Sequence, residues 1–302
     1  MTTYDVLVLG AGPAGLQAAL TLGRGRKRVR VLDAGVRRNA AAVHVQNFLS
    51  RDGTPPAELR GIGRAQLATY PNVEVGDARV DVITGTKGAF VAQGGGETIY
   101  ARRVVLATGM IDERLPIEGF EAHWGTSIVQ CPYCHGWEAR EGRWGCLVRD
   151  THALAFPMLL RGWASEVTAF VDPALDVPAD ARARWEVAGI RVETSPVRRL
   201  VGSSGALESV QLENGTAVSC DLLYAHPPQR QVDVVRALGL ALDERGYVRV
   251  DPTTRETSIP GIYAAGDLTT HAQAAILAAA SGMAAGAALN LELTVEQVTA
   301  AR

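Results

Sequence analysis

The chain has 302 residues, 47% hydrophobic and 21% charged, with a formal net charge of -2, which is long enough for two domains with separate cores. The near-neutral balance gives no reason to expect nucleic acid or an acidic membrane as partner. Four cysteines in this length argue against a secreted disulfide framework, and Met1-Thr2-Thr3-Tyr4-Asp5 enters an apolar strand with no room for a signal peptide, so the cytoplasm is the expected compartment.

Val6-Leu7-Val8-Leu9 predicts a strand, Gly10-Ala11-Gly12-Pro13-Ala14-Gly15 a glycine turn, and residues 16–22 a helix. Val29-Arg30-Val31-Leu32 predicts a second strand ending at Asp33. This is the order a dinucleotide site requires. Gly10 permits the tight turn, Gly12 lets the backbone approach a pyrophosphate, and Gly15 brings helix to sheet. Pro13 opens the helix, and the N–H groups of Ala14, Gly15 and the next residues face an anion, while Asp33 is placed to accept ribose hydroxyls.

Val104-Val105-Leu106-Ala107-Thr108-Gly109 follows, and then Cys131-Pro132-Tyr133-Cys134-His135-Gly136-Trp137-Glu138. Two cysteines at this spacing can close a small disulfide and trade electrons in pairs, and His135 is placed to move the accompanying proton. Zinc would need four ligands. No second C-x-x-C or H-x-x-x-H exists, so no metal is expected. Cys146 and Cys220 lie on or beside apolar strands and suit packed thiols.

Trp144-Gly145-Cys146-Leu147 predicts a strand, residues 152–163 a helix and Val167-Thr168-Ala169-Phe170 the next strand. Leu222-Leu223-Tyr224 predicts another, leading into His226-Pro227-Pro228. His226 either lines the domain junction or sits exposed on a rigid loop. Ile262-Tyr263-Ala264-Ala265-Gly266-Asp267 predicts a strand ending in Gly-Asp, with Asp267 placed to hold a hydroxyl of a bound nucleotide. A helix begins at Gln273-Ala274. Residues 272–291 carry Gly282 and Gly286 at G-x-x-x-G spacing, but their Ala, Gly, Gln273, Ser281 and Asn290 predict a packed internal helix rather than a membrane span.

Taken with those motifs, the chain resembles the low-molecular-weight thioredoxin reductase family of flavoproteins along essentially its whole length. The resemblance implies an α/β fold of two Rossmann-like (three-layer ββα) nucleotide-binding domains, the second inserted into the first. The FAD domain would be 1–113 and 239–302, and the insert, carrying the redox disulfide, 114–238. It implies FAD as cofactor and a homodimer. Cys134 would be the flavin-proximal cysteine and Cys131 the interchange thiol, with His135 where a typical reductase has an acid/base aspartate. Asn47, with His44 beside it, would lie in the loop that passes the isoalloxazine ring. Thr108, Gly109, Gly266, Asp267, Gln273 and Ala274 would complete the flavin site. His271 would stand near the flavin edge, and Ala272 replaces the arginine that usually precedes the Gln-Ala pair. His123 and His152 read as structural.

The insert departs from the family at its own nucleotide site. Val148 stands where a turn glycine belongs, Asp150 where a pyrophosphate would approach, and Val171-Asp172-Pro173-Ala174 offers no cation for a 2′-phosphate. The resemblance then narrows to the NADPH-independent branch of gliotoxin and holomycin dithiol oxidases, which share C-x-x-C-His-Gly-aromatic-Glu. The expected activity is oxidation of a dithiol substrate, a small molecule or a small thiol protein, through Cys131–Cys134 and FAD with O2 as acceptor and hydrogen peroxide as product. A disulfide reductase fed by ferredoxin or unconventionally bound NADPH is the alternative enzyme, and a redox sensor without turnover the alternative of another class.

Overall fold

The computed structural model describes residues 3–300. Val6-Leu7-Val8-Leu9, apolar at consecutive positions, suits a strand covered on both faces. It forms the buried end of β1 (Thr3–Leu9). There follow α1 (Pro13–Arg24), β2 (Val29–Asp33), α2 (Pro56–Leu67), β3 (Val73–Asp77), β4 (Val82–Thr86), β5 (Ala89–Gly94), β6 (Glu97–Leu106) and β7 (Ile111–Asp112). Strands β3, β2, β1 and β6 are parallel neighbours in that order, and the start of β6 carries the antiparallel β4–β5 hairpin.

The chain then builds α3 (Phe120–His123), β8 (Ile128–Val129), α4 (Pro132–His135) and β9 (Arg143–Val148). The helix expected at 152–163 is shorter and broken: a 3-10 turn, Thr151–Ala155, precedes α5 (Phe156–Leu160). Pro157 explains the break, because it lacks the N–H an uninterrupted helix would use. Next come β10 (Glu166–Val171), α6 (Ala179–Val187), β11 (Arg191–Glu193), β12 (Val197–Ser203), β13 (Ala206–Leu212), β14 (Ala217–Ser219) and β15 (Leu222–Tyr224). Among the described residues β11-β10-β9-β15-β8 is a parallel five-stranded sheet, and β12–β14 an antiparallel one. Its core gathers Trp144, Cys146, Val148, Leu160 and Trp185.

The last stretch adds β16 (Gln229–Arg230), α7 (Asp233–Ala237), β17 (Ile262–Ala264) and α8 (Ala275–Ala300). β17 lies parallel to the end of β6, Ile262 opposite Val104 and Ala264 opposite Leu106. The chain divides into two compact units: one runs through Ala40, Phe48–Asp112 and from Gln229 on, the other comprises Ala41–Asn47 and Glu113–Pro228. The return to the first unit thus falls at Gln229 rather than 239, because β16 pairs antiparallel with β7.

Helix α8 is long and apolar enough by composition to cross a membrane. It is not packed all round, as the sequence led one to expect, but has two faces. Ala278, Gly282, Ala285, Gly286, Leu289 and Leu293 form its buried stripe. A Cβ on Gly282 would fall 2.0 Å from the carbonyl oxygen of Ala14, and one on Gly286 2.9 Å from that of Ala18, so the G-x-x-x-G spacing serves close packing on α1. Toward its end, Glu292 and Glu296 pair with Arg103, a guanidinium buried at the sheet. At 100° per residue, exposed Leu277, Met283, Leu291, Val295 and Val298 gather on the opposite face. Gly282→Ala is expected to lower stability by about 1–3 kcal/mol through overpacking against α1, read as a lower unfolding midpoint in denaturant.

Candidate active site

In the first unit the nucleotide motif forms at the carboxyl edge of the parallel strands, where ligands of open α/β sheets bind. Gly10 follows β1 at φ +98°, a conformation that a side chain resists, and its N–H donates to the carbonyl of Leu32 at 2.7 Å. A Cβ on Gly15 would lie 1.8 Å from the Gly10 carbonyl oxygen, whereas beside Gly12 there is open space. Among the described residues no side chain caps the start of α1, which opens Gly12-Pro13-Ala14-Gly15. Its first amides are therefore available to an anion.

Asp33 is buried at the end of β2, as its position implies, but its carboxylate is already engaged. It forms an ion pair with Arg60 and accepts from the N–H of Ala11 at 3.4 Å. A carboxylate has about four acceptor positions, which leaves room for a ribose hydroxyl. Arg60 also reaches the carbonyl of Ala11 at 3.2 Å. Thr108 and Gly109 follow β6 on the same edge, and the buried Thr108 Oγ1 finds no hydrogen-bond partner among the described residues. Gly266 and Asp267 follow β17. A Cβ on Gly266 would stand 2.9 Å from that of Ala14, so this turn sits against the start of α1. Gln273 and Ala274 immediately precede α8, and the Gln273 side chain donates to the Asp267 carbonyl at 3.4 Å. The open ground at Gly12, the uncapped α1 and the orphaned Thr108 hydroxyl fit FAD. Of the other expected contacts, His271 is exposed, and Asn47, at φ +59°, falls with exposed His44 in the second unit.

In the second unit Cys131 and Cys134 form a disulfide, with Cα atoms 5.3 Å apart. Cys131 precedes the single-turn α4, whose first residue, Pro132, needs no amide partner there. The turn rests on tryptophans. A Cβ on Gly136 would come 3.0 Å from the Trp163 ring and 3.1 Å from that of Trp144. Trp144 donates to the Ala139 carbonyl at 2.9 Å, and Tyr133 meets Trp163 edge-on at 5.3 Å. Tyr133 and Trp137 are exposed beside the disulfide.

His135 Nδ1 lies 3.4 Å from the carbonyl oxygen of Cys131. A carbonyl only accepts, so Nδ1 carries the hydrogen and Nε2 the lone pair. Burial lowers the imidazole below its ordinary value, outweighing the Cys131 carbonyl and the negative charge of Glu138, both of which raise it. The ring is therefore neutral near pH 7. Glu138 is held by Gln46 at 3.0 Å. The two other cysteines are sealed in the core: burial pushes the Cys220 thiol up to about 12 and that of Cys146 higher still. His123 is buried and near Ser127 Oγ at 3.4 Å, and His152 and His226 are exposed.

The second unit repeats the strand-turn-helix plan but closes it differently. Val148 is fully buried in β9 opposite Val171. Asp150 Oδ1 accepts from the amides of His152 at 2.8 Å and Ala153 at 3.1 Å. The amides that an anion would use are thus satisfied by the chain's own carboxylate. After β10, Asp172 accepts from the amide of Ala174 at 2.9 Å.

Two nucleotide-type folds, a flavin-ready edge and a C-x-x-C disulfide define a disulfide oxidoreductase. The chain belongs to the pyridine nucleotide-disulphide oxidoreductase family, whose pattern matches residues 4–151 and 164–284. It is a thioredoxin reductase-like flavoenzyme that acts on sulfur groups and binds FAD. It is 32% identical to thioredoxin reductase sirT of Leptosphaeria maculans over 96% of this chain and 94% of that protein. Among solved structures it is similar to HlmI, at 35% identity over 99% of this chain and 95% of that one with a TM-score of 0.91. It is also similar to an oxidoreductase from Agrobacterium tumefaciens, at 34% identity over 97% and 99% with a TM-score of 0.91.

Replacing Asp150 with alanine removes a helix cap, for which a loss of about 0.5–2 kcal/mol is expected in equilibrium unfolding.

Proposed function

We propose that this protein is an FAD-dependent dithiol oxidase that closes a disulfide in its substrate, uses O2 as acceptor and does without NADPH. The observation that carries the reading is the Asp150 carboxylate on the amides of the 3-10 turn that follows β9 in the second unit. A pyrophosphate approaching there would meet a like charge and no vacant donor. Buried Val148, in place of a flexible turn, and the absence of Lys or Arg in Val171-Asp172-Pro173-Ala174 support it further.

A thiolate of the dithiol attacks Cys131 Sγ, the Cys131–Cys134 bond breaks and Cys134 leaves as thiolate. The second substrate thiol attacks the mixed disulfide, which releases Cys131 and the oxidised product. Two electrons and two protons have then passed from substrate to protein. A free thiol is mostly protonated at neutral pH, with a pKa of about 8.5, so a base at the turn speeds the attack. Neutral His135, with its Nε2 lone pair, is that base, and it stores the proton while the cysteine pair is reduced. FAD, when bound, would supply the acceptor for the cysteines' electron pair, with O2 as the final oxidant taking that pair and two protons to leave as hydrogen peroxide. Exposed Tyr133 and Trp137 suit a substrate with apolar surface. The outward apolar face of α8 supports a homodimer, and we place the enzyme in the cytoplasm.

The names of the relatives favour a second reading, a disulfide reductase fed by ferredoxin or by NADPH bound in another way. Aerobic mixing separates the two. Oxygen uptake with peroxide release on adding dithiol alone supports the oxidase; flavin bleaching by NADPH, with no oxygen uptake from dithiols, rejects it. Cys131→Ser and Cys134→Ser are expected to abolish turnover and keep the yellow flavoprotein. His135→Ala should slow reduction by dithiol on the order of 10²- to 10⁴-fold. Because the imidazole titrates below about 6.5, wild-type rates should hold through neutral pH and fall only on the acid side, a limb the variant lacks. Leu291→Glu on the outward face should shift sedimentation toward the monomer.

A further inference from the structure

At the edge where Asp267 meets the start of α1, a guanidinium arrives from a distant loop. Arg38, 16% exposed, lies in the segment after β2. Its Nε and one terminal nitrogen donate to Asp112 at 2.8 and 2.7 Å, a bidentate pair. The other terminal nitrogen donates to Asp267 at 2.8 Å and to the Gln273 side-chain oxygen at 2.5 Å. Gln229 ties the group together, donating to Asp112 at 2.7 Å and accepting from Gln273 at 2.9 Å and from the Tyr247 hydroxyl at 3.0 Å. Arg38 thus bridges β7, the turn after β17 and the residue that leads into α8. Ala272, beside Gln273, has only a methyl group to offer.

Two carboxylates this close and this buried repel unless a cation stands between them. The cofactor that the edge fits carries further negative charge, so an unpaired Asp267 would oppose it. Bidentate geometry also fixes direction, which an ammonium cannot do. We propose that Arg38 is the positioning residue of the FAD edge: it neutralises Asp267 and orients that carboxylate and the Gln273 amide for the cofactor. Burial raises the Asp267 carboxyl, Arg38 lowers it, and Asp112 raises it again. The charged or titratable groups facing Asp267 are Arg38, Asp112 and the Tyr247 phenol, whose own titration is raised by burial. Without Arg38, the Asp267 carboxyl moves up toward neutrality.

The test measures flavin released on dilution of the holoenzyme, by fluorescence, at pH 6 and pH 8. Arg38→Met strands Asp112, so the informative variant is Arg38→Met with Asp112→Asn, which removes that stranded charge and is compared with wild type by thermal melting. Its FAD affinity is expected to fall at least tenfold and to be weaker at pH 8 than at pH 6, as unpaired Asp267 ionises, while wild-type affinity stays level. Arg38→Lys, which keeps the charge and loses the fork, is expected to bind FAD with intermediate affinity and no such pH dependence. FAD affinity in the double variant within twofold of wild type, or a loss of equal size at both pH values, would overturn the proposal. Should the double variant fail to fold, Arg38→Lys decides alone: unchanged affinity overturns it, and a several-fold loss supports it.

Discussion

Only a hydrogen atom fits between the first helix and the turn that feeds it. The separation of Gly15 from the Gly10 carbonyl sets how closely α1 lies on the parallel sheet. From that closeness follow the direction of the first amides of α1 and the position of the Gly266-Asp267 turn against Ala14. Gly282 extends the same economy to α8, which meets the Ala14 carbonyl with no side chain between. Glycines from the two ends of the chain, Gly10 and Gly15 from one and Gly266 and Gly282 from the other, therefore define one tight stack of turn, helix and helix, and the cofactor edge is its rim.

The two units treat one motif in opposite ways. In the first, the helix start is left without a capping side chain and with open space at Gly12. In the second, Asp150 folds over the turn that follows it and satisfies the amides itself. Helix amides exposed to an incoming anion are a local cost in stability that ligand binding recovers, whereas a capped start is complete alone. The second unit has meanwhile become the platform for the cysteine pair, its disulfide turn seated on Trp144 and Trp163 and the His135 ring held by the carbonyl of Cys131.

The parts of the fold that could be read from the sequence are those with a local signature. The β1–turn–α1–β2 unit was legible because runs apolar at every position mark strands buried on both faces, and glycines mark the sharp turn. The cysteine spacing and its histidine were equally local. The broken helix after Asp150 was not, because its apolar pattern continues through Pro157 while the backbone does not. Nor were Arg38 and Arg60. Arg38 meets Asp112 and Asp267 across 74 and 229 residues, and charged side chains in a loop carry no mark of their partners. The outward face of α8 was hidden by its own composition: alanine on every side gives a weak contrast, and only packing tells which stripe is covered.

Cys146 and Cys220 lie deep in the second unit, where burial holds both sulfurs protonated and out of reach. The folded chain therefore presents one responsive sulfur pair to its surroundings. A count of reactive sulfhydryls on the native protein registers none when the Cys131–Cys134 pair is closed and two when it is open, and so reads directly whether that pair is holding the electrons.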